Sequence, residues 1–442
     1  MDKLPHISTL KVIANRKRIQ KNPLPFHHEN FEKLGDTFRI SIPAEGNVVF
    51  SRDPVMVKQV LQTKHRSFEK SKLQTEDLAK YIGHGLLTSN GDHWRTHRRL
   101  IQPAFHQKKL KGLFEIMQMA ISKELDLIPT GSAIDMLPRM GDLAFQVVAK
   151  TLFSTNDIRE PMMELKHITE VNQNMLVKEM RKPYFKWWYN LTGEINKHLK
   201  KSDRARQILD QLVETRLQEA SQGDDLLDML LHATYEDGTH MPRKQLLDEL
   251  MILFTAGFET TATALSFTLY FLAKNPQLQE KLFFEAQELN NEVYDLEDFN
   301  KLRLTSSCIK EAMRLYPPAY FIDRVASEPV EINGAHFNKG TMVLLSIFEL
   351  HRNKEFWKNP LEFKADRFLE MPPKTHGDFY YPFGAGPRMC IGNAMATYEM
   401  IITVVEIVKR FQVSTGMTEV EINPLITLKP EQIRLNFEMR KS

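Results

Sequence analysis

The sequence predicts a mainly α-helical fold with small peripheral β-sheets. Apolar residues recur at helical spacing over long central stretches, whereas strand-like segments are few, short and gathered toward the two ends. The composition, 42% hydrophobic and 26% charged over 442 residues, is that of an ordinary folded globular chain. No Pro/Gly/Ser-rich linker, low-complexity run or internal repeat marks a boundary, so residues 1–442 are expected to form one domain. A chain of this length can bury a core large enough to enclose a cofactor.

Taken in order, the pattern begins with a strand pair at Thr37–Ile42 and 47–51, followed by a short helix at 54–63. A helix at 91–102 is stopped near Pro103, because proline restricts the residue before it. Helices are expected at 109–127, 140–152, 161–178, 190–220 and 224–233. The longest runs over 242–274, with Pro242 at its start and Asn275-Pro276 at its stop, and Asn275 is expected to cap the next helix, 276–288. Val330–Ile332 and Ala335–Phe337 flank Asn333-Gly334, the strongest short hairpin signal. Residues 341–347 read as a strand, 394–411 as the last long helix, and 425–428 with 433–439 as a final strand pair.

Charge is nearly balanced, 59 basic against 56 acidic residues, so nucleic acid is not indicated as a partner. The distribution is uneven. Between Trp94 and Phe114 lie Arg95, Arg98, Arg99, Lys108, Lys109 and Lys111 with no acid among them. Two cysteines, Cys308 and Cys390, argue against a disulfide framework and for a reducing compartment. The N-terminus lacks the apolar run of a signal peptide, and the apolar segment 246–273 is interrupted by Asp248, Glu249 and Glu259. A cytoplasmic protein without a transmembrane anchor is expected.

Residues 383–392 read Phe-Gly-Ala-Gly-Pro-Arg-Met-Cys-Ile-Gly. Two glycines and a proline build a tight loop ahead of Cys390, and a helix begins just after it. A thiolate at a helix N-terminus is stabilised by the dipole and by backbone N–H donors, which also tune the sulfur as an iron ligand. Gly392 allows a close approach to something flat, and Arg388 can reach an anionic edge of the same object. A haem supplies both the face and the carboxylates.

With this motif the chain resembles the cytochrome P450 family of haem-thiolate monooxygenases, and further family motifs fall in order along nearly its whole length. The resemblance implies a triangular helical prism with small β regions. It implies haem b, iron protoporphyrin IX, with Cys390 as the axial metal ligand and Phe383, Gly384, Arg388 and Gly392 around it. The second motif is Ala256-Gly257-Phe258-Glu259-Thr260-Thr261 within the 242–274 helix. A threonine hydroxyl there can bond back one turn and, with Gly257, open the helix into a groove. The resemblance sets Ala256 against the haem, makes Thr260 the residue that steadies dioxygen and hands it a proton, and makes Glu259 the acid that feeds the relay.

Glu311 and Arg314 share a helix face at i,i+3, and Arg367 follows in Phe-Lys-Ala-Asp-Arg-Phe. In the family such a set forms a buried structural triad. Trp94 and Arg98, at i,i+4, match the family's haem-propionate ligands, as do Arg324 and Arg388. The surplus basic residues of 95–111 suit docking of an acidic electron donor. No flavin or iron–sulfur motif is present, so a separate ferredoxin or flavodoxin with its reductase is implied. Segments that line the substrate pocket in the family hold Leu86, Leu87, Ile252, Tyr320, Phe321 and Ile322 here, mostly apolar, which points to a small-molecule hydrophobic substrate of medium to large size, such as a fatty acid or a terpenoid. The aromatic cluster at 184–189 reads as a peripheral membrane contact, as a gate to an entry channel or as core packing under a loop. A haem-thiolate peroxygenase or isomerase, and an O-demethylase of a small methyl ether, stay open as alternatives.

Overall fold

The computed structural model describes residues 4–42, 46–154, 159–218, 225–289, 293–371 and 373–440. By internal contacts the chain divides into two compact units. One comprises Met1–Ser71, Ser307–Cys390 and Glu421–Glu431, the other Lys72–Ser306, Ile391–Val420 and Gln432–Ser442.

The strands, in chain order, are β1 (His6–Ile7), β2 (Thr37–Ile42), β3 (Gly46–Ser51), β4 (Phe68–Glu69), β5 (Ala133–Asp135), β6 (Phe321–Ala326), β7 (Val330–Ile332), β8 (Ala335–Phe337), β9 (Met342–Ser346), β10 (Phe411–Ser414), β11 (Ile422–Pro424), β12 (Leu428–Pro430) and β13 (Arg434–Met439). The first unit is built on a sheet of order β1-β2-β3-β9-β6-β4. Side chains alternate across it. Phe38, Ile40, Val48 and Phe50 pack on one face with Phe26 and Phe31, while Val49, Val343 and Leu345 pack on the other with Val57, Val60 and Phe68. Both faces are therefore covered, which is why the centres of β3 and β9, residues 48–50 and 342–345, are unbroken apolar runs. The hairpin β7–β8 forms as expected, with Asn333 and Gly334 both at positive φ, 45° and 75°.

The second unit is helical. Met136–Phe153 lies along Arg243–Ala273, and Phe145 meets Phe254 and Phe258 at ring separations of 5.6 and 5.4 Å. Each buried phenylalanine contributes about 1.5–3 kcal/mol relative to exposure. Gly257 belongs to this packing. A Cβ there would stand 3.0 Å from Val148 Cγ2, so the mid-helix glycine permits close approach of two helices, and Arg243–Ala273 remains α-helical throughout. By length and composition that helix could cross a membrane, but 78% of its most apolar window is buried within the fold.

Several boundaries differ from the sequence reading. The expected helix 109–127 is broken into Gln107–Leu110, a 3₁₀ turn at Lys111–Leu113 and Phe114–Leu125. The run 190–220 splits into Lys186–Leu191 and Glu194–Gln218 around Gly193, which takes φ +73°. Positions 219, 220 and 224, the ends of two expected helices, lie outside the described residues. Asn275 makes no side-chain cap; its carbonyl receives the N–H groups of Leu278 and Gln279. The final strands do not pair with each other. β11 pairs with β12, and β13 lies between β10 and β5. The cause is Phe411, which leaves the helix and starts β10, burying Phe411 and Val413 and exposing Gln412 and Ser414.

Candidate active site

The loop before Cys390 is held by its own backbone. Cys390 N donates to Phe383 O at 3.0 Å, Met389 N to Gly386 O at 3.0 Å and Gly384 N to Tyr381 O at 3.1 Å. Gly384 and Gly386 take φ +71° and +70°, conformations an L side chain rarely adopts. A Cβ on Gly386 would also collide with the Leu61 carbonyl, so the loop is seated against the π-helical turn Gln59–Thr63. Phe383, Gly384 and Arg388 are half-buried, and Cys390 is exposed at the end of the loop. Two residues on, Gly392 has only a Phe105 ring atom, at 4.0 Å, within reach of an added Cβ.

Thr260 Oγ1 donates to Ala256 O at 2.9 Å, the back-bond expected one turn earlier. The helix carrying it is otherwise buried. Leu253, Ala256, Gly257 and Thr260 form an accessible stripe at i, i+3, i+4 and i+7, flanked by the buried Phe254, Phe258, Glu259 and Thr261. A buried helix that leaves the small residues Ala256 and Thr260 accessible on one face presents a surface suited to a flat partner. Ile252 is buried on the same helix, Leu86 is buried and Leu87 half-buried.

Glu311, Arg314 and Arg367 come together as expected. Glu311 Oε2 accepts from Arg314 Nε at 2.7 Å, and Oε1 accepts from Arg314 Nη2 and Arg367 Nε, each at 2.9 Å. The guanidiniums also donate to backbone carbonyls, Arg314 to those of His351, Pro360 and Glu362 and Arg367 to those of Lys358, Asn359 and Glu362. Glu311 and Arg314 are 0% exposed. This is a fully hydrogen-bonded buried network, not a surface ion pair.

Arg324, on β6, is buried; its Nη1 donates to the adjacent Asp323 carbonyl at 2.7 Å. Burial pushes this guanidinium below its ordinary value, and Asp323 partly offsets that. A buried cation of this kind is stabilised by an added anion. Trp94 is buried on the Gly91–Ile101 helix, and half-buried Arg98 donates through Nε to Gln102 at 3.1 Å. Between them His97 bonds the Tyr235 hydroxyl at 3.0 Å, tying this helix to the turn around Gly238.

The other expected positions are distributed as follows. Tyr320, Phe321 and Ile322 are half-buried; Phe321 stands edge-on to His27 and Phe50 in the sheet core, and Tyr320 Oη donates to Leu425 O. The basic stretch is less uniform than its sequence. Arg95 pairs with Asp92 and Arg99 with Glu236, whereas Lys108, Lys109 and Lys111 are exposed with no ion pair among the described residues. In the aromatic cluster only Tyr189 is buried; Tyr184, Phe185, Trp187 and Trp188 are exposed, so core packing under a loop does not describe them. Sequence reasoning missed Glu249, which is 0% exposed and accepts the Leu86 N–H at 3.0 Å. Its signal was an acid interrupting an apolar helix.

A glycine-built loop ending in an accessible cysteine, a helix face left accessible at Ala256 and Thr260, and a buried arginine that an anion would stabilise are each of a kind that suits a haem. A family profile described as Cytochrome P450 matches residues 4–437. Similar proteins include the cyclooctat-9-en-7-ol 5-monooxygenase of Streptomyces melanosporofaciens, 30% identical over 85% of this chain and 84% of that one. Cytochrome P450 4A11 of Homo sapiens is 31% identical over 94% of this chain and 82% of its own length. The 11-oxo-beta-amyrin 30-oxidase of Glycyrrhiza uralensis is 28% identical over 91% and 80%. Among solved structures, the cytochrome P450DA heme domain superposes with a TM-score of 0.84 at 23% identity, covering 99% of this chain and 98% of that one. The chain therefore belongs to the cytochrome P450 family, with its helical fold, its haem b and its oxidoreductase activity.

Proposed function

We propose that the whole chain acts as one haem-binding monooxygenase domain that inserts an oxygen atom from O2 into a hydrophobic substrate, a terpenoid or a fatty acid, with electrons from a separate ferredoxin or flavodoxin and its reductase. The observation that carries this reading is the Ala256–Thr260 stripe, a small-residue face left accessible on a buried helix. Two relatives bear names that specify oxidation of a large alicyclic compound. When bound, haem supplies dioxygen activation, and a thiolate ligand favours O–O cleavage. Cys390, exposed at the end of its loop, would provide that thiolate. Arg324, Arg388, Trp94 and Arg98 would serve the propionates, and Phe383, Gly384, Gly392 and Ala256 would lie against the ring.

The chain's own chemistry is proton handling. The Thr260 hydroxyl spends its proton on Ala256 O, so its oxygen is disposed to accept a hydrogen bond from a species lying on the stripe. Glu259, buried next to it, is the acid that feeds the relay. Exposed Lys108, Lys109 and Lys111 supply the charge that steers the electron donor. The exposed Trp187, Trp188 and Leu191 support a peripheral membrane contact, and the burial of the Arg243–Ala273 helix supports its use as a core helix.

The test is spectroscopic. Ferrous wild-type protein with carbon monoxide should give the red-shifted Soret band of thiolate-ligated haem, and Cys390→Ser should abolish it. A Cys390→Ser protein that kept the band, or a wild type that never showed it, overturns the assignment. Titration of fatty acids and cyclic terpenoid alcohols against the resting haem, read as a low-to-high spin shift, then identifies the substrate class.

A further inference from the structure

Two adjacent acids interrupt the apolar Arg243–Ala273 helix, and both are buried: Asp248 is 4% exposed and Glu249 0%. Burial of carboxylates is costly unless hydrogen bonds compensate. Arg206 Nε donates to Asp248 Oδ1 at 3.3 Å, and further compensation comes from Gln245 and the backbone of one short loop, residues 83–89. Glu249 Oε2 accepts the Leu86 N–H at 3.0 Å, and Asp248 Oδ2 accepts the His84 N–H at 3.1 Å. Gln245 Nε2 spans the two, donating to His84 O at 2.7 Å and to Glu249 Oε1 at 3.0 Å. Within the loop, Thr88 Oγ1 accepts from Gly85 N at 3.0 Å and donates to Gly83 O at 2.7 Å.

The glycines show how tight the seating is. A Cβ on Gly83 would collide with the Asp248 carboxylate, and one on Gly85 would stand 2.5 Å from Glu249 Oε2. The Gly-His-Gly sequence is thus complementary to the acid pair, and charge-assisted bonds fix the backbone of Leu86 against the helix. Glu249 also lies seven residues, two helical turns, before Ala256. Two turns put it on the face of the accessible stripe, about 10 Å along the axis.

We propose that Glu249 is a positioning residue that sets the pocket wall at Leu86 and Leu87 and so selects substrates by bulk, an inference that rests on the haem-monooxygenase reading above. A loop held at a backbone N–H by a buried carboxylate is preorganised. A bulky ligand then meets a formed wall and does not have to order one. Small ligands that reach only the iron are indifferent to it.

Two azoles separate these cases: imidazole, which reports the iron alone, and clotrimazole, which fills the space above it. Binding is read as the Soret shift on azole coordination, with the ferrous carbonyl band recorded for every variant. Glu249→Leu should raise the clotrimazole dissociation constant roughly tenfold, the scale of one lost charge-assisted bond. Imidazole affinity should stay within about twofold on the same reasoning. Glu249→Gln keeps an acceptor oxygen and should stay near wild type. Gly85→Ala, which pushes the carboxylate from the loop side, should reproduce Glu249→Leu and carries the test if the leucine protein does not fold. Amide exchange over residues 83–89 should quicken in both. Unchanged clotrimazole binding in folded Glu249→Leu and Gly85→Ala overturns the proposal, as does equal weakening of both azoles. A wild type without the carbonyl band or an imidazole shift instead sinks the haem reading on which it rests.

Discussion

Replacing Glu311 by alanine removes the one carboxylate that the buried Arg314 and Arg367 share. The wild-type acid accepts Arg314 Nε and Nη2, Arg367 Nε, and the Lys364 N–H at 3.0 Å. Alanine leaves two guanidiniums facing each other with only carbonyl dipoles for compensation. Breaking a buried pair by deleting one partner costs about 3–5 kcal/mol. The four bonds are not to be summed separately, because the two arginines relax together. For domains of 150–250 residues each kcal/mol moves the melting temperature by roughly 2–4 °C, and by less in a longer chain, so a fall on the order of 5–10 °C is expected. Glu311→Gln keeps acceptor capacity but not charge and should fall in between. The assay is the thermal loss of the thiolate carbonyl band, at one fixed scan rate. Melting of Glu311→Ala within about 2 °C of wild type would refute the view that this network holds the unit together.

Three further outcomes follow from the site. Thr260→Ala should bind substrate and consume NADPH at rates within a few-fold of wild type while most reducing equivalents emerge as hydrogen peroxide; unchanged product per NADPH would remove Thr260 from proton handling. Lys108→Glu with Lys109→Glu should slow reduction by a ferredoxin or flavodoxin roughly tenfold at low salt and flatten its salt dependence, since attraction is screened as the Debye length falls from about 10 Å at 0.1 M to about 3 Å at 1 M. Peroxide-driven turnover of the same variant should be little affected, and equal loss by both routes would indicate misfolding. Arg324→Leu removes a buried cation already pushed below its ordinary value by desolvation. The apoprotein should lose little stability while haem affinity falls, and unchanged haem retention would show that the propionates do not use it.

Much of this protein was legible in its sequence because the information is local. Gly384, Gly386 and Cys390 sit within seven positions, and a loop that needs two positive φ values announces itself by glycine. Asn333-Gly334 did the same for its hairpin, and Thr260 for its back-bond to Ala256. The Glu311–Arg314 spacing was visible too, but nothing local says whether such a pair is exposed or buried, and its worth differs several-fold between those cases. The family resemblance implied burial, the tertiary structure shows it, and distant contacts decide the outcome wherever the partner is far away in the chain. Asp92 and Glu236 take up Arg95 and Arg99 and leave Lys108, Lys109 and Lys111 as the exposed charge. Val148 accounts for Gly257, across more than 100 residues of chain. Glu249 was visible only as an acid out of place in an apolar helix; its meaning lies in the Leu86 N–H, 163 residues away. A side chain's type and its spacing to near neighbours set what chemistry it can do. Whether that chemistry is buried, paired or open depends on contacts between distant segments, which no local pattern encodes.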